Sequence, residues 1–133
     1  MEVTELFRER NTLWVVLFKA MEGIRDEFFP GEPFYQAWTK IILGHHVFQI
    51  HMRHGRGASI SELARRTGVP RQTVVNKMSE MVEKGFMKTT HDSRHFAPAD
   101  FMYSMNQSQV EKHRKRRALL LEVLTKSPNQ TKL

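Results

Sequence analysis

The sequence contains no cysteine. That absence excludes disulfides, thiol nucleophiles and Cys-ligated zinc. Nor does any apolar run approach the ~20 residues that a membrane-spanning helix needs. The first ten residues, MEVTELFRER, have neither the basic start nor the following apolar stretch of a signal peptide. There is no Gly-rich phosphate loop, and no spacing of Ser, His and Asp singles out a nucleophile with its base. These absences predict a soluble, cytoplasmic protein with no membrane contact. They predict no enzymatic activity, no catalytic residues and no cofactor.

What is present suffices for a folded core. Of 133 residues, 40% are hydrophobic and 10% aromatic, which argues against wholesale disorder. That length is one domain, or a small domain with flanking dimerisation helices. Charge is distributed unevenly. Residues 1–50 carry five basic and seven acidic side chains, a net of −2, whereas residues 51–133 carry sixteen and seven, a net of +9. A basic excess confined to one part of a chain points to a polyanionic partner there; a plain solvated surface is the other reading.

From Val3 to about Asp26, Leu6, Leu13, Leu17, Met21 and Ile24, joined by Phe7, Trp14 and Phe18, recur at helical spacing and predict one long helix with a broad apolar stripe. Pro30, Gly31 and Pro33 interrupt it. A second helix is expected from near Pro33 to just before His54, with Phe34, Ala37, Trp38, Ile41, Ile42, His45 and Phe48 on one side. Such apolar helices must cover the second half of the chain, a second subunit, or both.

Ser59-Ile60-Ser61-Glu62 has the capping-box pattern and predicts a short helix ending at Thr67. Gly68 suits a left-handed C-terminal turn. A further helix is expected over about 71–84, burying Val74, Met78, Met81 and Val82. Gly85 ends it, and residues 86–90 and 94–97 read as two strands around His91-Asp92-Ser93, where Asp and Ser can bond to the local backbone. A last helical region begins near Ala99, with Phe101, Met102 and Met105 apolar; it is either one helix or two broken near Asn106. Leu120, Val123 and Leu124 restore a stripe there, and residues 127–133 read as a frayed tail.

Ala64, Gly68 and Val74 stand at the spacing of a helix-turn-helix. The first position must be small where the second helix crosses, the second must accept the turn, and the third must be apolar to lock the helices. With the strands after Gly85, the stretch Ser59–Pro98 resembles the winged helix-turn-helix. Long N-terminal helices, that winged unit and a C-terminal helix are together similar to the MarR family of dimeric bacterial transcription regulators. MarR-like wings often have a longer charged tip than Asp92-Ser93-Arg94. The expected fold is thus mainly α with a small β-hairpin. Its parts are N-terminal dimerisation helices (1–54), the winged unit (55–98), a C-terminal helix or helices (99–126) and the tail, all in one compact unit.

The helix face opposite Val74 and Met78 holds Arg71, Gln72, Val75, Asn76 and Ser79, with Thr73 and Lys77 at its margins. Arg can donate twice to guanine, Asn or Gln can pair with adenine, and Val75 can touch a thymine methyl in the major groove. Arg65 and Arg66 are expected to meet phosphates or acids rather than bases. The resemblance implies that Arg94 enters a minor groove; it can equally cap the turn with Asp92. The expected DNA-binding residues are therefore Arg71, Gln72, Thr73, Val75, Asn76, Lys77 and Arg94.

The run Lys112, Arg114, Lys115, Arg116 and Arg117 is either a solvated face, an extra phosphate contact, or a partner for the acidic N-terminal half of the same or another subunit. His45, His46, His51 and His54 do not share one face, so no metal is expected. Trp14, Phe18, Phe28, Phe29, Phe34, Tyr35 and Trp38 read as core or dimer packing. Because MarR-like proteins often bind small phenolic ligands, the resemblance also implies a pocket there for a small aromatic effector. The expected function is sequence-specific binding of double-stranded DNA by a homodimer on a roughly palindromic operator. The alternative is a winged-helix module that joins other proteins without reading DNA.

Overall fold

The computed structural model describes residues 2–100 and 107–125. The expectations for Phe101, Met102, Met105, the region near Asn106 and the tail 127–133 fall outside those residues. In chain order the elements are α1 (Val3–Phe28), α2 (Phe34–His54), β1 (Ala58–Ser59), α3 (Ile60–Thr67), α4 (Arg71–Glu83), β2 (Met87–Thr89), β3 (His95–Pro98) and α5 (Gln107–Thr125). The protein is mainly helical with a small antiparallel sheet, as the sequence predicts at that level. Among the described residues no helix is long and apolar enough to cross a membrane.

Two compact units divide the chain between Gly31 and Glu32: one contains α1 and α5, the other α2, the three strands, α3 and α4. This grouping differs from the sequence division into 1–54 and 55–98. The reason is that α2 packs on α3, α4 and β3.

In the first unit the guanidinium of Arg116 on α5 donates to Glu27 Oε2 at 2.7 Å and to the Gly23 carbonyl at 3.4 Å. One member of the basic run therefore pairs with α1 of the same chain. Val16 and Ala20 are the buried residues of α1. Of the expected stripe, Leu6, Phe7, Leu13, Trp14 and Phe18 stay exposed, while Leu17, Met21 and Ile24 are half-buried.

The second unit is built on α2. Pro33 precedes it, and Gly55 ends it in the left-handed region at φ 64. Its buried line is Ala37, Lys40, Leu43, Val47 and Ile50. Except for Ala37, that line lies across the helix from the expected side of Phe34, Ile41, Ile42, His45 and Phe48. Periodicity could not choose between them because α2 is apolar nearly all round. Leu63 of α3 and Val74, Met78 and Met81 of α4 complete this core, with Ala58, Met87 and Ala97 from the sheet.

The turn between α3 and α4 forms as its residues dictate. Ser59 Oγ accepts from the Glu62 N–H at 3.1 Å. The Glu62 carboxylate does not reach back as a capping box requires; it accepts two bonds from Arg56, each 2.9 Å. Gly68 takes φ 74, closed by its N–H to the Ala64 carbonyl at 2.9 Å. Thr67 Oγ1 accepts from the Val69 N–H at 3.2 Å and steadies the way into α4.

The sheet has order β1-β3-β2, with Ala58 opposite Phe96 and Met87 opposite Pro98. Only β2 and β3 were legible in the sequence. A two-residue strand carries no periodicity, so β1 gave no signal. It is admitted by Gly57, where a Cβ would lie 2.8 Å from His95 Cβ and 2.9 Å from Thr90 Cγ2.

Candidate nucleic-acid interface

The residues that the sequence singles out for DNA binding all lie in the second unit. On α4, Arg71, Gln72, Asn76 and Ser79 are exposed, while Thr73 and Val75 are half-covered. The burial of Val74, Met78 and Met81 on the opposite side of the helix fixes this outward face. A helix advances ~100° per residue, so positions 72, 76 and 79 fall within about one-sixth of a turn. Gln72 Nε2 donates to Asn76 Oδ1 at 3.1 Å, one helical turn on.

Arg71 does not project freely. Its Nη1 donates to Ser61 Oγ at 2.5 Å, tying the start of α4 to the first turn of α3. Sequence reasoning passed over Ser61, because an exposed serine ten positions away carries no pattern that predicts the contact.

Lys77 lies apart from the group. Its side chain is 16% exposed and sits 3.7 Å from Glu80. On the same flank Glu80 also holds Lys40 of α2 at 2.7 Å, and Lys40 in turn meets Glu32 at 2.7 Å. These charges neutralise one another and anchor α4 on α2.

Arg94 stands beside the hairpin tip between β2 and β3. There Ser93 takes φ 60. Asp92 organises the tip: it accepts from the Thr90 hydroxyl, from the Arg94 backbone N–H at 3.0 Å, and lies 3.3 Å from His95 Nδ1. The Thr90 hydroxyl first, then the Arg94 N–H, hold its carboxyl down at about 2. The turn is therefore capped through the backbone of Arg94, and the Arg94 side chain remains exposed.

A cleft of about 390 Å³ joins these parts. Ser59, Ser61, Arg71, Ser93 and Arg94 line it. No carboxylate-bearing residue belongs to its lining, which brings two arginines together beside three serines. Guanidinium pairs of this kind are suited to oxyanions such as phosphate. Next to the cleft lies the amide and hydroxyl face of α4, which can exchange hydrogen bonds but carries little charge.

Arg65 and Arg66 are exposed on α3, and Arg66 lies 3.9 Å from Glu62. The Glu62 carboxyl is held at about 2, chiefly by the bonds from Arg56. His45 and His46 meet edge to face at 5.5 Å between centroids. His46 Nδ1 is buried without a hydrogen-bond partner, and burial, with His45 and Arg66 nearby, lowers the pKa of that ring. Among the described residues no three His, Asp or Glu side chains gather as a metal site. The aromatic residues form local pairs: Trp14 with Phe18 at 6.0 Å, and Phe34 with Trp38 at 6.3 Å. Phe29 is buried and Tyr35 is 82% exposed.

No protein-family model, curated protein or solved structure matches the chain.

Proposed function

We propose that this protein is a winged helix-turn-helix regulator that binds double-stranded DNA sequence-specifically as a homodimer. On this reading α4 is the recognition helix in the major groove, and the β2–β3 hairpin is the wing. The observation that carries it is the joining of Arg71 and Arg94 in one carboxylate-free cleft beside the exposed Gln72, Asn76 and Ser79. That arrangement separates two tasks. Guanidinium groups grip backbone phosphates and set the register, while the neutral polar face meets base edges. The basic excess of residues 51–133 supports the same polyanionic partner.

The dimer is supported by the exposed apolar side chains of α1, among them Phe7 at 73% and Trp14 at 51%. Two copies would set two recognition helices about 34–36 Å apart, on half-sites one turn of DNA from each other. The resemblance to MarR-like regulators, many of which take small aromatic effectors, belongs to the same reading. The same α1 residues also favour the second reading, a winged-helix module that joins other proteins and does not read DNA. Enrichment of duplexes from a random pool, followed by salt titration on the enriched and a scrambled duplex, separates the two. A regulator yields a motif and binds it far more tightly than the scrambled duplex. Equal, weak binding to both overturns the proposal.

A further inference from the structure

Two amides on α4 form one hydrogen-bonding unit. Gln72 and Asn76 are both exposed, stand one turn apart, and are already bonded, Gln72 Nε2 to Asn76 Oδ1 at 3.1 Å. Each amide alone offers two donors and an acceptor with two lone pairs. Once they are bonded, rotation of either costs the bond between them. The two groups that this bond leaves wholly unused are a neighbouring pair: the Gln72 carbonyl oxygen as acceptor and the Asn76 amino group as donor. Reversing both amides exchanges the roles and still leaves one acceptor beside one donor.

We infer that Gln72 and Asn76 read a single adenine jointly, each supplying one of its two major-groove hydrogen bonds. Adenine presents an N6 amino donor beside the N7 acceptor, the complement of this pair. Guanine presents two acceptors, O6 and N7, and would set O6 against the amide oxygen. Cytosine offers only a donor, and thymine an acceptor beside a methyl group. The unit therefore selects adenine and rejects guanine by leaving a desolvated oxygen without a proton. Arg71 does not compete for the position, since its guanidinium is tied back to Ser61 Oγ at 2.5 Å. The inference rests on the proposed recognition role of α4, and it adds that each half-site contains one adenine requiring both residues.

The test is selection of duplexes from a random pool by the full chain, then affinity measurement for Gln72→Ala, Asn76→Ala and the double variant. Each duplex carries adenine, the other three bases, 7-deazaadenine or unsubstituted purine at the selected positions. Wild type is expected to lose roughly 5- to 150-fold with either 7-deazaadenine, which lacks the N7 acceptor, or purine, which lacks the amino group. Both single variants should flatten the preference at the same base pair, and the double variant should flatten it no further. The side chains are exposed, so unchanged thermal midpoints confirm intact folds. If wild type selects a motif but the two variants act at different base pairs, or leave the adenine preference intact, the joint reading is wrong while the DNA-binding proposal stands. If wild type selects no motif, both fall together.

Discussion

Lys40 on α2 and Glu80 on α4 form an ion pair of 2.7 Å, and Lys40 Nζ holds Glu32 at the same distance. The lysine side chain is 2% exposed, whereas Glu80 is 43% exposed. Burial alone would lower the lysine pKa, but the bonds to Glu32 and Glu80 outweigh it and raise it. This junction ties α4 to α2.

Replacing Lys40 by Ala opens a void and takes one cation from each carboxylate, leaving Glu32 with Lys84 at 2.6 Å and Glu80 with Lys77 at 3.7 Å. We expect a loss of about 2–4 kcal/mol, somewhat below the range for a fully enclosed pair because Glu80 reaches water. Lys40→Met, which keeps the alkyl stem in place, should lose less. Urea midpoints of the two variants check this; equal losses would mean that the lost charge, not the volume of the stem, decides stability at the site.

Acid should destabilise the second unit through Glu62. Its carboxyl is held at about 2 by Arg56, against an ordinary value of 4.5. Above pH 4.5 it is ionised whether folded or unfolded, and its contribution is whole. As pH falls from 4.5 towards 2 the unfolded chain takes up the proton first, and that contribution disappears. Glu62→Gln should therefore lower the urea midpoint at pH 7 but show a shallower fall between pH 5 and 3. A parallel fall in variant and wild type would remove Glu62 from the account.

Gly57→Ala tests the unexpected strand. Its Cβ would come 2.8 Å from His95 Cβ, so β1 must move away from β3 or the chain must strain. A destabilisation of about 1–3 kcal/mol is expected, as for overpacking elsewhere. Amide exchange should show it first at Ser59 and His95.

Arg71→Ala and Arg94→Ala should weaken binding to all duplexes alike, and each should reduce the slope of log K against log salt by about one. Sequence preference should survive, because the proposed reading has both guanidinium groups on phosphates. A change of motif in the Arg71 variant would return that residue to base reading.

Association is checked on α1. Phe7→Glu with Trp14→Glu places two charges on its exposed apolar face, and the double variant should run as a monomer in sedimentation where wild type runs as a dimer. Its operator affinity should fall with it, since a half-site alone carries half the contacts. A dimer that persists would put the interface elsewhere.

Sequence reasoning succeeded where local chemistry is sufficient. Ser59 caps α3, Gly68 turns left-handed, Gly85 follows α4 at φ 83, and Val74, Met78 and Met81 face inward, all as periodicity and turn residues dictate. It could not choose between faces where several were equally apolar: on α2 the buried line runs through Lys40. A buried lysine cannot be read from hydropathy, because only the two carboxylates converging on it make its burial tolerable.

By itself, then, the sequence determined the approximate limits of α1 to α4, the turn at Gly68 and the outward face of α4, since each depends on residues within one or two helical turns. Tertiary structure alone decided the rest. It brought Ser61 to Arg71, Arg94 to the same cleft, Glu80 and Glu32 to Lys40, and β1 to β3. Those contacts join positions eight to forty apart along the chain, whose meeting is set by packing of whole elements rather than by any local pattern.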